Sequence, residues 1–280
     1  MASFTAWQPV TIIGAGRMGR GLELALRSAG AEVTLLSRSR QPEDTHRAAL
    51  LLIATPDDAI VELAAELARE RAVSEHQVVL HLSGLLDRRA LAALASTGAG
   101  LGSFHPLQAI ADPASAPARL VGSFAGLEGD ERALEVGERL ALALGMRTVR
   151  LAAGAKPAYH AGAVIASNYA VVLADMAQRL AREAGVGVAE AREMYLPLMR
   201  GTVTNLGLGP SAALTGPIRR GDVATVRSHL AVLGPEDRAL YCGLGLAALR
   251  LAREAGLAPE VAREVERVLR EGDEARKPEI

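Results

Sequence analysis

The sequence predicts an α/β fold: a Rossmann-type, mostly parallel sheet with helices on both faces, followed by an all-α C-terminal domain. Three observations support this fold class. Short apolar runs alternate with helical patterns through the first half of the chain, a glycine-rich turn follows the first run, and beyond residue 153 long segments rich in Ala, Leu and Arg take over. We therefore expect two domains, at residues 1–153 and 154–280.

The strands are predicted from short runs rich in Val, Ile and Leu. In order they are PVTII, EVTLL, ALLLIA, QVVLHL and GLGSFH, with weaker candidates near RLVGSFAG and MRTVRLA. Helical periodicity between the runs predicts helices at about residues 17–29, 57–71, 87–96 and 131–144. This alternation is typical of a parallel sheet covered by helices.

Composition narrows the possible function classes. The 31 basic and 32 acidic residues are interleaved on helices and only 3% of residues are aromatic, which argues against a nucleic-acid partner. No long uninterrupted apolar run predicts a membrane span, and MASFTAWQPV lacks the pattern of a secretory signal, so we expect a cytoplasmic protein. The lone cysteine, Cys242, supports neither a disulfide nor a metal site, and no metal is predicted.

The clearest motif is a dinucleotide-binding turn. Gly14, Gly16 and Gly19 form G-x-G-x-x-G between a predicted strand and a predicted helix. In such a turn the glycines allow a tight bend, close approach of the backbone to a pyrophosphate, and close helix packing. We expect the cofactor to be bound by Gly14, Ala15, Gly16, Arg17, Met18 and Gly19.

The end of the second strand favours NADP over NAD. It reads LLSRSR, where a site selective for NAD usually carries an acidic residue that binds the ribose hydroxyls. Ser37 and Arg38, with Arg40 as a further candidate, suit a 2′-phosphate instead. The alternative interpretation is that these arginines are loop charges in an arginine-rich protein.

Two further strand ends fall at the edge where open parallel sheets bind ligands. Thr55 and Pro56 follow the third strand and are expected to line the cofactor site, while Asp57 is expected to cap the next helix. Ser83 follows the fourth strand and is a candidate for orienting a substrate.

Two histidines lie in predicted strands. His105 ends the fifth strand in SFHPLQ, which makes it a candidate proton donor or carbonyl ligand, or alternatively a residue that bonds to loop backbone. His81 lies within the fourth strand, where a packed core histidine is the expected role.

The segment GAKPAYHAGAVIASNYA begins where the domains are expected to change. Lys156 and Lys277 are the only lysines in the chain, and a lysine can titrate where an arginine cannot. Helix geometry places His160 on the face of Lys156, and Asn168 is rotated away but within reach of a neighbouring substrate. We interpret these residues as a catalytic cluster; the alternative is that His160 and Asn168 form hydrogen bonds within a buried helix pair.

The motifs VTIIGAGRMG, ATPDDAI, HLSG, GSFHPLQ, KPAYHAGAVIASN and LTGPIRRGD together resemble the family that joins a Rossmann-like N-terminal domain to a DUF2520 C-terminal domain. This family is part of the 6-phosphogluconate dehydrogenase-like superfamily, with pyrroline-5-carboxylate reductase, ketopantoate reductase and prephenate dehydrogenase. The resemblance implies an NAD(P) domain and dimerisation through the helical part. It names no substrate.

The chain departs from the relatives whose activities are named. β-Hydroxyacid dehydrogenases carry asparagine four residues after the helix lysine, where this chain has His160. Pyrroline-5-carboxylate reductases carry Pro-Gly-Gly-Thr-Thr where this chain reads LTGPIRRGD, and the later histidine-rich signature of prephenate dehydrogenases is not seen.

Two functions follow as hypotheses. The first is an NADP-dependent oxidoreductase that transfers hydride between nicotinamide and a small polar carbonyl, imine, hydroxy acid or amino acid. The second is a non-catalytic or regulatory dimer that binds NADP(H). Hydride exchange with a deazaflavin is permitted by the fold, but no residue specifically demands it.

Overall fold

The computed structural model of the chain describes residues 8–37 and 43–274. The chain forms two compact units, Met1–Tyr169 and Ala170–Ile280. The functional division at residue 153 stays a prediction.

A seven-stranded sheet organises the first unit, in the order β2-β1-β3-β4-β5-β6-β7. All neighbouring pairs are parallel except β5 with β6, which is antiparallel. The predicted mostly parallel sheet is therefore confirmed, with a strand at each of the seven predicted runs. The strands are β1 Val10–Ile13, β2 Val33–Leu36, β3 Leu50–Ile53, β4 Val78–His81, β5 Gly100–Leu107, β6 Phe124–Gly129 and β7 Arg147–Arg150.

The central strands are mostly apolar because both faces of the sheet are covered. In β1, Ile12 and Ile13 are both fully buried, yet they belong to core clusters on opposite faces. Helix α1 packs on one face through residues such as Leu22, and α3 packs on the other through residues such as Ile60. The helices of this unit are α1 Arg17–Ser28, α2 Glu43–His46, α3 Asp57–Arg69, α4 Ala116–Leu120 and α5 Glu131–Ala143.

One predicted helix has a different form. The segment predicted as a helix at residues 87–96 is a 3₁₀ helix, Arg88–Thr97, whose N-cap Asp87 accepts a hydrogen bond from the Arg89 amide. Its fully buried Leu91 and Leu94 are three residues apart, which fits three residues per turn.

Helix α6, Lys156–Glu183, begins in the first unit and continues into the second. The remaining helices are α7 Val188–Met194, α8 Leu196–Asn205, α9 Pro210–Ala213, α10 Pro217–Arg220, α11 Val223–Val232, α12 Pro235–Glu254 and α13 Pro259–Glu274. The core of the second unit contains Cys242, which is fully buried and unpaired. The predicted helical C-terminal region is confirmed.

In the described part of the chain, no helix is long and apolar enough to cross a membrane. A cytoplasmic location stays a prediction. The same residues contain no group of three or more His, Cys, Asp or Glu side chains that could hold a metal ion.

Candidate functional site

The turn between β1 and α1 is built around three glycines in different environments. At Gly14, with φ of +119°, a Cβ atom would lie 2.5 Å from the Ala54 carbonyl oxygen; at Gly19 it would lie 1.9 Å from the Gly14 carbonyl oxygen. Packing therefore requires glycine at both positions. At Gly16 no described atom lies within 4 Å of the same point. This side of the turn is open to a ligand that must approach the backbone closely.

The N-terminus of α1 is suited to an anion. Gly16 is its N-cap residue, no side chain caps it, and its first turn contains no acidic residue. Its first amides are therefore available to a negatively charged ligand, which the helix dipole also favours. Arg20 Nε donates to the Ala15 carbonyl oxygen over 2.9 Å and so ties the turn to the helix. Arg17 is exposed, whereas Met18 packs against the core.

A buried hydroxyl lies beside this turn. Thr55 follows β3, and its backbone nitrogen lies 3.0 Å from the point where a Cβ atom on Gly14 would be. Its Oγ1 is buried and makes no hydrogen bond to any residue that the structure describes. A buried hydroxyl without a partner costs free energy, so a ligand that bonded to it would be stabilised. Pro56, next in the chain, is exposed at the start of α3.

The residues predicted to select NADP lie at the limit of the described chain. Ser37 follows β2 and is exposed. Arg38 and Arg40 lie outside the described residues, so their predicted contact with a 2′-phosphate stays a prediction.

Lys156 is buried, with 1% of its surface exposed, and is the first residue of α6. Its Nζ donates to the Ser83 carbonyl oxygen over 2.5 Å and to Ser103 Oγ over 3.1 Å. Ser83 follows β4 and Ser103 lies in β5. The lysine therefore joins the start of α6 to the turn after β4 and to the middle of β5.

Burial lowers the pKa of Lys156 to about 8, because the charged amine loses its hydration. The carboxylates of Glu128, Asp57 and Asp87 act in the opposite direction, Glu128 most strongly. Glu128 is itself buried, and its Oε2 accepts a hydrogen bond from the Arg88 amide over 2.7 Å. The lysine is thus held in a buried polar environment in which its proton is lost more easily than usual.

The Ser83 side chain is fully engaged within the protein. Its Oγ donates to Asp57 Oδ2 over 2.8 Å and accepts hydrogen bonds from the Leu85 and Leu86 amides over 3.1 and 2.9 Å. These contacts join the start of α3 to the turn after β4. The geometry gives Ser83 a clear role in holding this edge of the sheet together.

Two imidazoles and a phenol meet beside this cluster. His105 Nδ1 lies 3.0 Å from Tyr159 Oη, with the rings edge to face and their centroids 5.5 Å apart. The His105 and His160 rings are also edge to face, at 5.9 Å. Burial lowers the pKa of His105 to about 4, and the positive charge of Lys156 acts in the same direction. His105 is therefore neutral at pH 7.

Gly84 allows both imidazoles to lie directly against the backbone. A Cβ atom there would be 2.4 Å from His160 Nδ1 and 2.9 Å from His105 Nε2. His160 Nδ1 is buried and has no hydrogen-bond partner among the described residues. Two ring nitrogens from different elements thus converge on one point at the end of β4.

His81 is a core histidine, as predicted. It is fully buried and its Nε2 bonds to the Asp87 carbonyl oxygen over 3.1 Å. Burial lowers its pKa to about 4.

Four of the five residues predicted to be catalytic lie together in the first unit: Ser83, His105, Lys156 and His160. The fifth, Asn168, is exposed two turns beyond His160 on α6. Their catalytic roles stay predictions.

Sequence reasoning missed Tyr159, Ser103 and Glu128. Tyr159 is adjacent to His160 in the sequence, but its hydrogen-bond partner, His105, lies fifty-four positions earlier in the chain. No local sequence pattern distinguishes Ser103 or Glu128 as site residues. They come together only because β5 and β6 are paired, which places Ser103 opposite Glu128.

Two family models match the chain. The Rossmann-like domain matches residues 36–106, and the domain of unknown function DUF2520 matches residues 123–248. No curated protein matches significantly.

Solved structures share the fold over almost the whole chain. Protein TM1727 from Thermotoga maritima is 23% identical, with 95% of this chain and 99% of that chain covered and a TM-score of 0.61. BF3122 from Bacteroides fragilis, a candidate NADP oxidoreductase, is 19% identical, with 96% and 99% covered and a TM-score of 0.65. Pyrroline carboxylate reductase from Plasmodium falciparum with NADP bound is 10% identical, with 96% and 98% covered and a TM-score of 0.56.

At these identities the solved structures establish the fold alone, while the two matched models agree with the domain order read from the sequence motifs. The chain therefore contains a match to a Rossmann-like domain followed by a match to a DUF2520 domain, in the order that its motifs predicted, and it shares the fold of these solved structures.

Proposed function

We propose that the protein is an NADP-dependent oxidoreductase that acts on a small polar substrate. The observation that carries the proposal is the open, uncapped glycine turn at Gly16, with the unpartnered hydroxyl of Thr55 beside it. The Plasmodium falciparum reductase, which shares the fold, has NADP bound, and this supports the proposal. The two imidazoles at Gly84 lie at the same carboxyl edge of the sheet, where such folds bind ligands.

The residues at the turn suit the diphosphate of a dinucleotide. The first amides of α1 would bind the pyrophosphate, and Thr55 Oγ1 would gain a hydrogen-bond partner. Ser37 and Arg38 would select the 2′-phosphate, as the sequence suggests. When bound, the nicotinamide would supply or accept the hydride.

The chain's own contribution to the chemistry would come from His105 and His160. Both ring nitrogens near Gly84 can form hydrogen bonds to a polar atom of the substrate, and a neutral imidazole can donate or accept a proton. We assign Lys156 a positioning role, because its amine is buried and bonded to Ser83 and Ser103. Its charge also favours the neutral form of His105.

Direct proton transfer by Lys156, as predicted from the sequence, would require its amine to give up its hydrogen bonds to Ser83 and Ser103. Asn168 is retained as a candidate for orienting the substrate, because it is exposed on the helix that carries His160. Ser83 would support the site through Asp57 rather than touch the substrate.

A homodimer formed through the helical part is also proposed. The second unit exposes many large apolar side chains on α6, α8 and the turn that follows, and extensive apolar exposure is characteristic of protein interfaces. These side chains are Val171, Val172, Leu173, Leu196, Leu198, Val203, Leu206 and Leu208.

The regulatory alternative is favoured by one observation. Lys156 and the Ser83 hydroxyl use their polar atoms within the protein, so neither is free to act on a substrate in this conformation. A binding module would show tight NADPH binding without turnover of any carbonyl or amine substrate.

The experiment compares two matched glycines. Gly16 and Gly234 are both helix N-caps with extended backbone, and at neither does a described atom lie within 4 Å of an added Cβ atom. Calorimetric titration should show that Gly16→Ala weakens NADPH binding by about tenfold or more, equivalent to about 1.4 kcal/mol. Gly234→Ala should bind as wild type does.

Wild-type protein is then tested for NADPH and NADH binding and for turnover across a panel of carbonyls, imines, hydroxy acids and amino acids. Failure of wild type to bind NADPH would overturn the proposal. Binding without any turnover would leave the regulatory alternative in its place.

A further inference from the structure

We propose that Tyr159 is a positioning residue that holds His105 as its Nε2–H tautomer, and that the site is thereby built for a substrate oxygen rather than an ammonium or iminium nitrogen. The substrate part of this inference rests on the proposed oxidoreductase function. The tautomer part does not.

The phenol of Tyr159 is held against His105, with its Oη 3.0 Å from His105 Nδ1. Gly126 provides the space, because a Cβ atom there would lie 2.7 Å from both Cζ and Oη of the tyrosine. Burial raises the pKa of the Tyr159 phenol, which therefore keeps its proton at pH 7. A phenol O–H is a stronger hydrogen-bond donor than a neutral imidazole N–H, and an imidazole nitrogen is a stronger acceptor than a phenol oxygen, so the phenol donates to His105 Nδ1.

A neutral imidazole carries a single N–H, and the other ring nitrogen is an acceptor. His105 is neutral at pH 7 because it is buried close to Lys156. Since Nδ1 accepts a hydrogen bond from the phenol O–H, the single N–H of the ring is at Nε2. His105 Nε2 makes no hydrogen bond to any other residue in the described ranges, and it lies at Gly84, beside His160 Nδ1.

A donor at this position selects the substrate atom. A carbonyl oxygen can accept the His105 Nε2–H, and a hydroxyl oxygen can accept it while its own proton points to His160 Nδ1. The nitrogen of an ammonium or iminium group has no lone pair, so it cannot accept a hydrogen bond from the Nε2–H, and its own N–H would point at that donor. The inferred substrate is therefore a carbonyl or alcohol pair, whereas the structurally similar Plasmodium falciparum protein is a pyrroline carboxylate reductase.

The chain contains a matched control for the tyrosine. Tyr241 Oη lies 2.9 Å from His229 Nδ1, with the rings edge to face at 5.8 Å, and both residues belong to the second unit. Tyr159→Phe and Tyr241→Phe each remove one hydroxyl from a histidine–tyrosine pair. Only the first lies at the proposed site.

The first measurement is long-range ¹H–¹⁵N NMR of ¹⁵N-labelled protein at pH 7, which distinguishes protonated from unprotonated ring nitrogens. In wild type, His105 should have its proton on Nε2. In Tyr159→Phe a population with the proton on Nδ1 should appear, while Tyr241→Phe should leave the His105 signals unchanged. A wild-type His105 protonated on Nδ1 would overturn the assignment, as would a Tyr159→Phe spectrum identical to that of wild type.

The second measurement is turnover with NADP(H) on pairs of substrates with the same carbon skeleton, one carrying a hydroxyl or carbonyl and the other an amino or imino group. The oxygen member should be preferred, and Tyr159→Phe should lower kcat for it by about tenfold or more with a smaller change in KM. Preference for the nitrogen member would overturn the substrate assignment while leaving the oxidoreductase proposal intact. Absence of turnover with every pair would instead overturn the proposed function, and the substrate assignment with it.

Discussion

Replacing Lys156 by methionine should change how the free energy of unfolding depends on pH. Burial lowers the pKa of this lysine from 10.5 to about 8 in the folded protein. Below pH 8 the amine is charged in both states, so the folded protein bears the full cost of burying a cation. Between pH 8 and 10.5 the unfolded chain holds a proton that the folded protein has lost, and wild-type stability relative to Lys156→Met rises with pH. The difference in pKa corresponds to about 3 kcal/mol.

The assay is urea denaturation of wild type and Lys156→Met, followed by circular dichroism, at several pH values between about 7 and 10.5. Subtracting one free energy from the other at each pH removes the contributions of other titrating groups. Lys277→Met, which removes the chain's only other lysine, controls for the loss of a lysine as such. A difference between wild type and Lys156→Met that stays constant over this range, or that falls with rising pH, would refute the reasoning.

Three further predictions concern the histidines, Gly84 and the helical surface. NMR titration should show the imidazoles of His105 and His81 protonating near pH 4, because burial lowers both pKa values; titration near 6.5 would contradict this. Gly84→Ala should abolish turnover and destabilise the protein by about 1–3 kcal/mol in thermal unfolding while NADPH binding is retained, because its methyl group meets two imidazoles; Gly162→Ala, where no described atom outside the helix's own backbone lies within 4 Å, should leave turnover, NADPH binding and stability unchanged. Leu198→Glu should convert a dimer to a monomer in analytical ultracentrifugation, since this leucine is 65% exposed; an unchanged sedimentation coefficient would count against that surface.

The sheet could be predicted from the sequence because its signal is local. Leu50–Ile53 and Val78–His81 are short, almost wholly apolar runs, and such runs are typical of strands buried on both faces. The glycine turn could also be predicted, since its G-x-G-x-x-G spacing between a strand and a helix is a local pattern; the Gly19 contact with the Gly14 carbonyl lies within that unit, whereas the Gly14 contact with Ala54 comes from the segment after β3.

The burial of Lys156 could not be predicted in this way. The sequence indicated a helix start and an unusual lysine, but its partners, Ser83 and Ser103, come from strands that lie 73 and 53 positions away. The convergence of His105 and His160 on Gly84 likewise depends on strand order and on where α6 begins. Sequence reasoning chose four of the residues in this cluster by type and position, but not the contacts that constrain their roles.

In the proposed function, NADP binds at the glycine turn and its reactive ring meets the two imidazoles. A crystal structure of the protein grown with NADP⁺ tests this most directly. We expect the pyrophosphate on the backbone at Gly16, a hydrogen bond to Thr55 Oγ1, and the nicotinamide beside His105 and His160. A nicotinamide directed away from both histidines, or a dinucleotide bound elsewhere on the protein, would contradict it.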